Sequence, residues 1–316
     1  MTPHPTRRNV LQTTTAALAL AAAAPLIHAA DAPPKPSRPK RPWKKAVMWN
    51  MIAPARRGSK KSDPELPVLD KFKMLKDAGF DGVEMNAPSD TPNDEILKAC
   101  EKAGILIEGV VDSVHWRQTL SHNNPQMRAE GLKALLQAIK DCKALGGTSV
   151  LLVPGVVDES VPYDVCYQRS QAAIKEALPL AADLGIKIAI ENVWNKFLLS
   201  PLECARYVDE FQSPAAAWHF DIGNVMAFGW PEQWIKIIGH RIVKIHVKEF
   251  SRTKQMEEGM AKGFGVELLE GDNNWPAIMK ALDDVGYNTW GCIEMRGGDL
   301  ERLKVLSNQL DRILAL

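Results

Sequence analysis

The chain contains 316 residues, of which 46% are hydrophobic and 24% are charged, a composition typical of a globular protein. Its formal net charge is +1, but without residues 1–42 the remainder holds 33 Lys and Arg against 37 Asp and Glu, a formal charge of −4. This slightly acidic balance argues against a basic face, and therefore against nucleic acid as a partner.

The first residues are typical of an export signal. A twin arginine at 7–8 precedes an apolar, alanine-rich run at 16–24, and small residues at 30–32 could be cleaved by a signal peptidase. The apolar run is too short to cross about 30 Å of hydrocarbon, so no stable membrane span is predicted. We expect residues 1–32 to be a twin-arginine signal peptide, residues 33–43 to be a linker rich in proline and lysine, and the protein to be periplasmic.

From residue 44 onward, strand-like and helix-like segments alternate without interruption. Short apolar runs predict strands at 45–49, 82–85, 105–111, 149–153, 186–191, 217–221, 241–246 and 289–294. Apolar residues at helical spacing predict helices at 67–78, 94–103, 125–145, 163–184, 201–211, 231–238, 275–285 and 300–314. A long loop is predicted at 249–273. Eight strand–helix units are the number that a closed parallel barrel requires, so residues 44–316 are predicted to form a single (β/α)8 TIM barrel of the α/β class.

The cysteines give no sign of a disulfide or zinc framework. Their number is odd and their spacing includes no close pair, so we expect small buried side chains rather than ligands. The five positions are Cys100, Cys142, Cys166, Cys204 and Cys292.

Four consecutive predicted strands, the fifth to the eighth, end in a side chain that can bind a metal. These side chains are Glu191, Asp221, His246 and Glu294. The carboxyl ends of the strands in a parallel barrel surround one opening, so the four can converge on one point. Three carboxylates and an imidazole would repel one another there without a cation. The pattern predicts one divalent metal ion, and the ligand types suit Mn²⁺, Co²⁺, Mg²⁺ or Zn²⁺ without selecting among them.

A purely structural interpretation exists for each of these residues taken alone. The carboxylates could pair with lysines or arginines at the barrel end, and His246 could be a satisfied interior histidine. The coincidence on four consecutive strands favours the metal site.

The same strand ends resemble the xylose isomerase-like barrel superfamily, which includes tagatose, psicose and L-xylulose-5-phosphate 3-epimerases. The resemblance covers roughly residues 44–316 and is most specific at 190–192, 220–224, 245–249 and 293–295. It implies that Glu191, Asp221, His246 and Glu294 bind one divalent cation. It also implies that the two glutamates are catalytic and face opposite sides of a keto sugar, so that one removes the α proton and the other returns a proton to the enediolate.

The sequence departs from the family pattern at two positions, so the substrate of the resembling enzymes cannot be assigned to this chain. Tagatose-type enzymes carry a histidine where this chain has Asn224, and they carry a substrate-binding glutamate where this chain has Phe197 or Leu198. The predicted export argues for a neutral sugar, a keto sugar or a glycoside derivative, because cells keep sugar phosphates inside.

Seven further residues near strand ends are predicted to contact the substrate. Arg252 lies six residues after His246, where the resembling ketose epimerases carry an arginine that contacts substrate oxygens. Glu84 could orient His115 or a sugar hydroxyl, and tryptophans could stack on a sugar ring. Each candidate could also have a purely structural role, as a member of an ion pair, an exposed loop residue, a structural histidine or an aromatic residue of the core. The set is Trp49, Glu84, His115, Trp116, Lys248, Glu249 and Arg252.

The favoured function is a metal-dependent sugar isomerase or epimerase that abstracts an α proton from a keto sugar or keto-glycoside. A lyase or dehydratase acting on 3-keto-glycosides or inosose-like compounds needs the same metal and base, and a non-catalytic sugar-binding barrel is a third reading. A phosphodiesterase of the endonuclease IV type is disfavoured because its three metals require many histidines. A homo-oligomer is left open.

Overall fold

The computed structural model of the protein describes residues 41–52 and 66–316. The predicted signal peptide (1–32) and most of the predicted linker lie outside the described residues, so both stay predictions. Within the described part of the chain, no helix combines the length and the apolar character needed to span a membrane.

Eight parallel strands close into one barrel in sequence order, which confirms the predicted (β/α)8 architecture. Strand β1 pairs with both β2 and β8, so the sheet has no free edge. The strands are β1 (Lys44–Met48), β2 (Gly82–Ala87), β3 (Leu106–Asp112), β4 (Ser149–Leu152), β5 (Lys187–Glu191), β6 (Ala216–Asp221), β7 (Ile242–Val247) and β8 (Trp290–Ile293).

Ten α-helices are described, and eight of them follow the predicted segments closely. Their bounds are α1 (Val68–Asp77), α2 (Asn93–Ala103), α3 (Pro125–Ala144), α4 (Tyr163–Leu184), α5 (Pro201–Asp209), α6 (Ile222–Met226), α7 (Pro231–Ile238), α8 (Arg252–Glu258), α9 (Trp275–Asp284) and α10 (Leu300–Leu314). Helix α3 begins at Asn124, whose side chain accepts a hydrogen bond from the backbone N–H of Gln126. Helices α2 and α4 end at Gly104 and Gly185, both with positive φ.

The other two helices were not predicted. Asp221 accepts a hydrogen bond from the backbone N–H of Asn224 and so begins the short helix α6 directly after β6. Ser251 caps α8 in the same way through Lys254. The predicted loop at 249–273 therefore contains a helix, followed by a 3₁₀ turn at Met260–Phe264.

The core lies in two layers on either side of the strands. In β6 all six residues are buried, and alternation sends Trp218 and Phe220 toward the helices while His219 and Asp221 face the barrel interior. The outer layer is apolar and holds the helices against the barrel. The inward-facing side chains of β6, by contrast, are polar. The candidate site is built from such inward-facing polar side chains, and the hydrophobic core from the outward-facing apolar ones. All five cysteines are free, as predicted.

Candidate metal centre and substrate cavity

The four predicted ligands converge at the carboxyl end of the barrel. Glu191 and Asp221 are the last residues of β5 and β6, His246 lies in β7, and Glu294 directly follows β8. Their potential ligand atoms all lie within 4.8 Å of one another. The Nδ1 atom of His246 is 2.9 Å from Glu191 Oε1, 3.1 Å from Glu294 Oε2 and 3.9 Å from Asp221 Oδ2. Nitrogen and oxygen donors at this spacing could hold one divalent cation.

The ring of His246 is oriented from behind by Glu84. Glu84 Oε2 lies 2.9 Å from His246 Nε2, and both side chains are buried. A proton on Nε2 would be donated to Glu84, which leaves the lone pair of Nδ1 for a metal. Glu84 was predicted to orient His115 or a sugar hydroxyl, and its partner in the structure is His246.

Asp221 is held by Asn192, which the sequence analysis did not single out. The side chain of Asn192 accepts a hydrogen bond from the backbone N–H of Asp221 (3.0 Å) and donates one to its carbonyl oxygen (2.8 Å). Asp221 Oδ1 accepts a further bond of 2.7 Å from the N–H of Asn224. These bonds fix the backbone and one carboxylate oxygen, and they leave Oδ2 directed at the cluster.

Burial makes negative charge costly at this site. It raises the pKa of Asp221 to about 8 and that of Glu84 to about 7, and it raises the pKa of Glu191 as well. Burial also opposes the protonation of His246, but the charge of Glu84 and the hydrogen bonds to Glu191, Glu294 and Cys292 together outweigh burial and raise the pKa of the imidazole. The protein therefore concentrates acidic groups where they ionise with difficulty unless a cation is near.

Lys248 lies beside the same carboxylates and lines the cavity, and its predicted contact with substrate stays a prediction. Its Nζ atom is 3.0 Å from Glu294 Oε2 and 3.2 Å from Asp221 Oδ2, and it lies 4.8 Å from the centre of the Phe264 ring. Burial alone would raise the pKa of Glu294, but the charge of Lys248 and the hydrogen bond to His246 lower it below its usual range.

A cavity of about 390 Å³ opens above the cluster, a size suited to a small molecule. Glu191, His246, Lys248 and Glu294 line one end, together with Asn224. The opposite end, which we call the distal wall, consists of Asn50, Asn86, Asp112, Ser113, His115 and Trp116. The aromatic rings of Trp194 and Phe264 lie 4.9 Å apart and form part of the side.

Of the other residues predicted to contact substrate, His115 and Trp116 lie in the distal wall. Trp49 lies outside the cavity lining, where it packs against Phe72 and under the ammonium group of Lys71. The predicted contact of Trp49 with substrate therefore stays a prediction.

Two further candidates, Glu249 and Arg252, lie in the segment after β7 and form hydrogen bonds to neighbouring loops. Glu249 is buried and accepts hydrogen bonds from Trp275 Nε1 and from the backbone N–H of Leu269, each at 2.8 Å. The guanidinium of Arg252 donates to the carbonyl oxygens of Met226 and Gly229. Both residues fix loops at the mouth of the barrel and lie outside the cavity lining, so their contact with substrate stays a prediction.

Asn86 and Asp112 of the distal wall were not predicted, although they follow the same rule as the metal ligands. They lie at the carboxyl ends of β2 and β3, as the metal ligands do on β5 to β8. Amides are not typical metal ligands, and after β3 only His115 and Trp116 were predicted to contact substrate.

Fold and site together define a single (β/α)8 barrel with a cluster of carboxylates and a histidine at the catalytic end of its strands. The family described as Xylose isomerase-like TIM barrel matches residues 72–315, and the chain belongs to it.

Curated relatives and solved structures are similar to most of the chain. L-ribulose-5-phosphate 3-epimerase UlaE of Escherichia coli O1:K1 is 26% identical over 250 residues, which span 72% of this chain and 81% of that protein. A D-tagatose 3-epimerase-like protein superposes with a TM-score of 0.69 at 18% identity, covering 86% of this chain and 96% of that one. An L-ribulose 3-epimerase superposes with a TM-score of 0.67 at 17% identity, covering 86% and 94%. These neighbours are named as epimerases, in agreement with the predicted isomerase class.

Proposed function

We propose that the protein is a sugar epimerase or isomerase that depends on a divalent metal ion and removes the α proton of a keto sugar. The observation that carries the proposal is the position of Glu191 and Glu294. Each lies within about one hydrogen-bond distance of His246 Nδ1 at the floor of the cavity. Two carboxylates beside one binding point can serve as base and acid for the same carbon.

The residues at the floor of the cavity fit a divalent cation. Glu191, Asp221, Glu294 and His246 would hold it, since the carboxylates outnumber the positive groups and Glu84 leaves His246 Nδ1 free as a ligand. When bound, the cation would supply Lewis-acid polarisation of a carbonyl group. Mn²⁺, Co²⁺, Mg²⁺ and Zn²⁺ all suit this donor set.

Two glutamates of this chain would then carry out the two proton transfers. One of Glu191 and Glu294 removes the proton next to the carbonyl group, and the other returns a proton to the opposite face of the enediolate. Lys248 lies next to Glu294 and lines the cavity, so its ammonium group can donate a hydrogen bond to the oxygen on which negative charge develops. The names of the relatives support this reaction, because all three reported above are 3-epimerases or resemble one.

The experiment is solvent exchange at the α carbon. Protein loaded with Mn²⁺ is incubated in heavy water with a panel of keto sugars, and deuterium incorporation is followed by mass spectrometry. Glu191→Gln and Glu294→Gln should each lower the exchange rate by about 10² to 10⁴. Glu176→Gln, which changes an exposed glutamate of α4, is the matched control.

Metal content and unfolding midpoints are measured on the same samples, so that lost metal and lost folding are separated from lost proton transfer. Exchange at the wild-type rate in both cavity variants would contradict the assignment of the two bases. A change in the mass of the product, beyond deuterium, would indicate a lyase instead.

A further inference from the structure

We propose that the cavity continues at its mouth onto an aromatic ledge of three side chains, and that this ledge binds a second sugar ring. The ledge consists of Phe264, Trp194 and Phe228. The inference rests on the proposed function and deepens it by naming the substrate class. That class is a keto sugar joined to another sugar through a glycosidic bond, in preference to a free keto sugar.

Phe264 begins the ledge next to the metal centre. The ammonium group of Lys248, which lies 3.0 Å from a carboxylate oxygen of Glu294, is 4.8 Å from the centre of the Phe264 ring. The buried ring of Phe250 packs against Phe264, with 4.9 Å between the ring centres. A Cβ atom at Gly263 would collide with the Phe250 ring, so a glycine is needed for the chain to pass this close. These contacts fix the turn that carries Phe264.

Trp194 forms the middle of the ledge and lines the cavity. The centre of its ring lies 4.9 Å from that of Phe264, and the two planes are tilted by 40°. Its Nε1 atom donates a hydrogen bond of 2.9 Å to the carbonyl oxygen of Asn224. The backbone N–H of Asn224 in turn donates to the carboxylate of Asp221. The indole is therefore held by the same residue that orients a predicted metal ligand.

Phe228 forms the outer end of the ledge. Its ring centre lies 5.9 Å from that of Trp194, its side chain is 61% exposed, and it lies beyond the described lining of the cavity. The loop that carries it is fixed, because the guanidinium of Arg252 donates to the carbonyl oxygens of Met226 and Gly229. An exposed aromatic ring on a fixed loop beside a cavity is typical of a ligand-binding surface.

The three rings form a continuous row that leaves the cavity. Phe264 and Trp194 are half-buried and line the cavity, whereas Phe228 is exposed. A keto sugar whose carbonyl group lies at the metal centre occupies the cavity itself, so only a substituent on that sugar can reach Phe228. The C–H groups on one face of a sugar ring are apolar, and the negative face of an aromatic ring attracts them. A second sugar ring therefore suits this surface.

The test compares D-fructose with lactulose and isomaltulose, two disaccharides in which a fructose unit carries a second sugar ring. Dissociation constants are measured on the full chain loaded with Mg²⁺, which does not broaden NMR signals. We expect at least one disaccharide to bind about tenfold more tightly than D-fructose, the gain from one stacked aromatic contact. Phe228→Ala should reduce this preference to about threefold or less, and Phe228→Trp should keep it. Leu97→Ala, which removes an exposed apolar side chain of α2, is the matched control and should keep the preference.

Saturation-transfer NMR identifies which sugar ring contacts the ledge. Irradiation of the aromatic protons of the protein should transfer magnetisation to both rings of the disaccharide that binds more tightly. Phe228→Ala should lower the transfer to the second ring selectively, whereas a merely structural role of Phe228 would weaken both signals together. Selective transfer to the second ring, without deuterium exchange at the α carbon of any sugar, would support the ledge and refute only the proposed function.

The inference is overturned if neither disaccharide binds more tightly than D-fructose, or if Phe228→Ala leaves the preference intact. Unfolding midpoints and sedimentation are recorded for the same variants. An intact preference with a lower midpoint would assign the Phe228 ring to a contact within the chain. An intact preference with a changed oligomeric state would assign it to a contact between copies of the chain.

Discussion

Two clusters of buried charge lie in successive layers of the barrel interior, and they differ in how their charges balance. In the lower layer Lys244 of β7 donates to both the carboxylate and the carbonyl oxygen of Glu108, one positive group for one negative group. In the upper layer His246 and Lys248 are the positive groups. They face four carboxylates, those of Glu84, Glu191, Asp221 and Glu294.

We infer from this difference that the balanced charges of the lower layer stabilise the fold, whereas the unbalanced charges of the upper layer form a binding site. A buried ion costs several kcal/mol unless a partner and hydrogen bonds compensate it. Lys244 supplies a partner for Glu108 Oε2 within the chain, whereas Glu108 Oε1 is buried without a hydrogen-bond partner among the described residues. The upper layer has an excess of carboxylates. Burial raises the pKa of Asp221 and Glu84, the neighbouring carboxylates raise it further, and this excess of buried acidic groups is the physical reason to expect a cation there.

The largest effect is expected from breaking the lower pair. Glu108→Leu leaves the ammonium group of Lys244 buried without a carboxylate, and it should lower the free energy of unfolding by about 3–5 kcal/mol. The double variant Glu108→Leu with Lys244→Met should recover most of that loss, because no buried charge then remains. Denaturant unfolding with and without Mn²⁺ measures both, and the loss should be the same in each condition. A single variant as stable as the wild type would show that the pair is not needed for the fold.

A smaller effect is expected at the upper layer from Glu84, which contacts His246 but does not line the cavity. Glu84→Gln should weaken the affinity for Mn²⁺ by about 10- to 100-fold, because the ring loses the acceptor that orients it and makes it more basic. Competition with a chelator of known affinity measures the change. Glu95→Gln, on the exposed face of α2, should bind Mn²⁺ as the wild type does. Equal affinity in Glu84→Gln would remove Glu84 from the metal centre.

The sequence was sufficient to predict the upper layer because its residues follow a local rule. Strand length, helical spacing and a polar residue at the strand end can all be read along the chain, so the barrel and the four residues of the cluster could be predicted. Their convergence within 4.8 Å follows from closure of the barrel, which a count of eight strand–helix units implies.

The lower layer and the supporting contacts depend on pairings across the barrel that no local pattern encodes. Lys244 and Glu108 are 136 residues apart, and Glu84 and His246 are 162 apart. The spacing near Arg252 and Glu249 matched a strand end. Arg252 instead donates to the end of α6 and to the loop after it, and Glu249 accepts from the loop before α9 and from Trp275 of α9. Such partners are set by which side chains face one another after closure, and therefore only the structure identifies them.

The smallest expected effect is a difference in pH dependence between the metal-free and metal-bound protein. Between pH 6.5 and 8 the metal-free native state keeps protons that the unfolded chain has lost, because burial raises the pKa of Asp221 to about 8 and that of Glu84 to about 7. The raised pKa of His246 acts in the same direction. Stability should therefore fall as the pH rises through this interval, by about 2 kcal/mol for roughly one proton.

Two buried histidines should offset part of this slope. His115 and His219, whose pKa values burial lowers, are neutral in the native state but about half protonated in the unfolded chain at pH 6.5, so each should add about 0.4 kcal/mol of stability as the pH rises to 8. A bound cation keeps the carboxylates ionised in the native state, so Mn²⁺ should abolish the fall or reverse it. Unfolding midpoints at pH 6.5 and 8, with Mn²⁺ or with a chelator, measure the difference, and Asp221→Asn should flatten the metal-free slope. If the metal-free protein were equally stable at both values, the carboxylates of the upper layer would not carry the excess charge that distinguishes them from the Lys244–Glu108 pair.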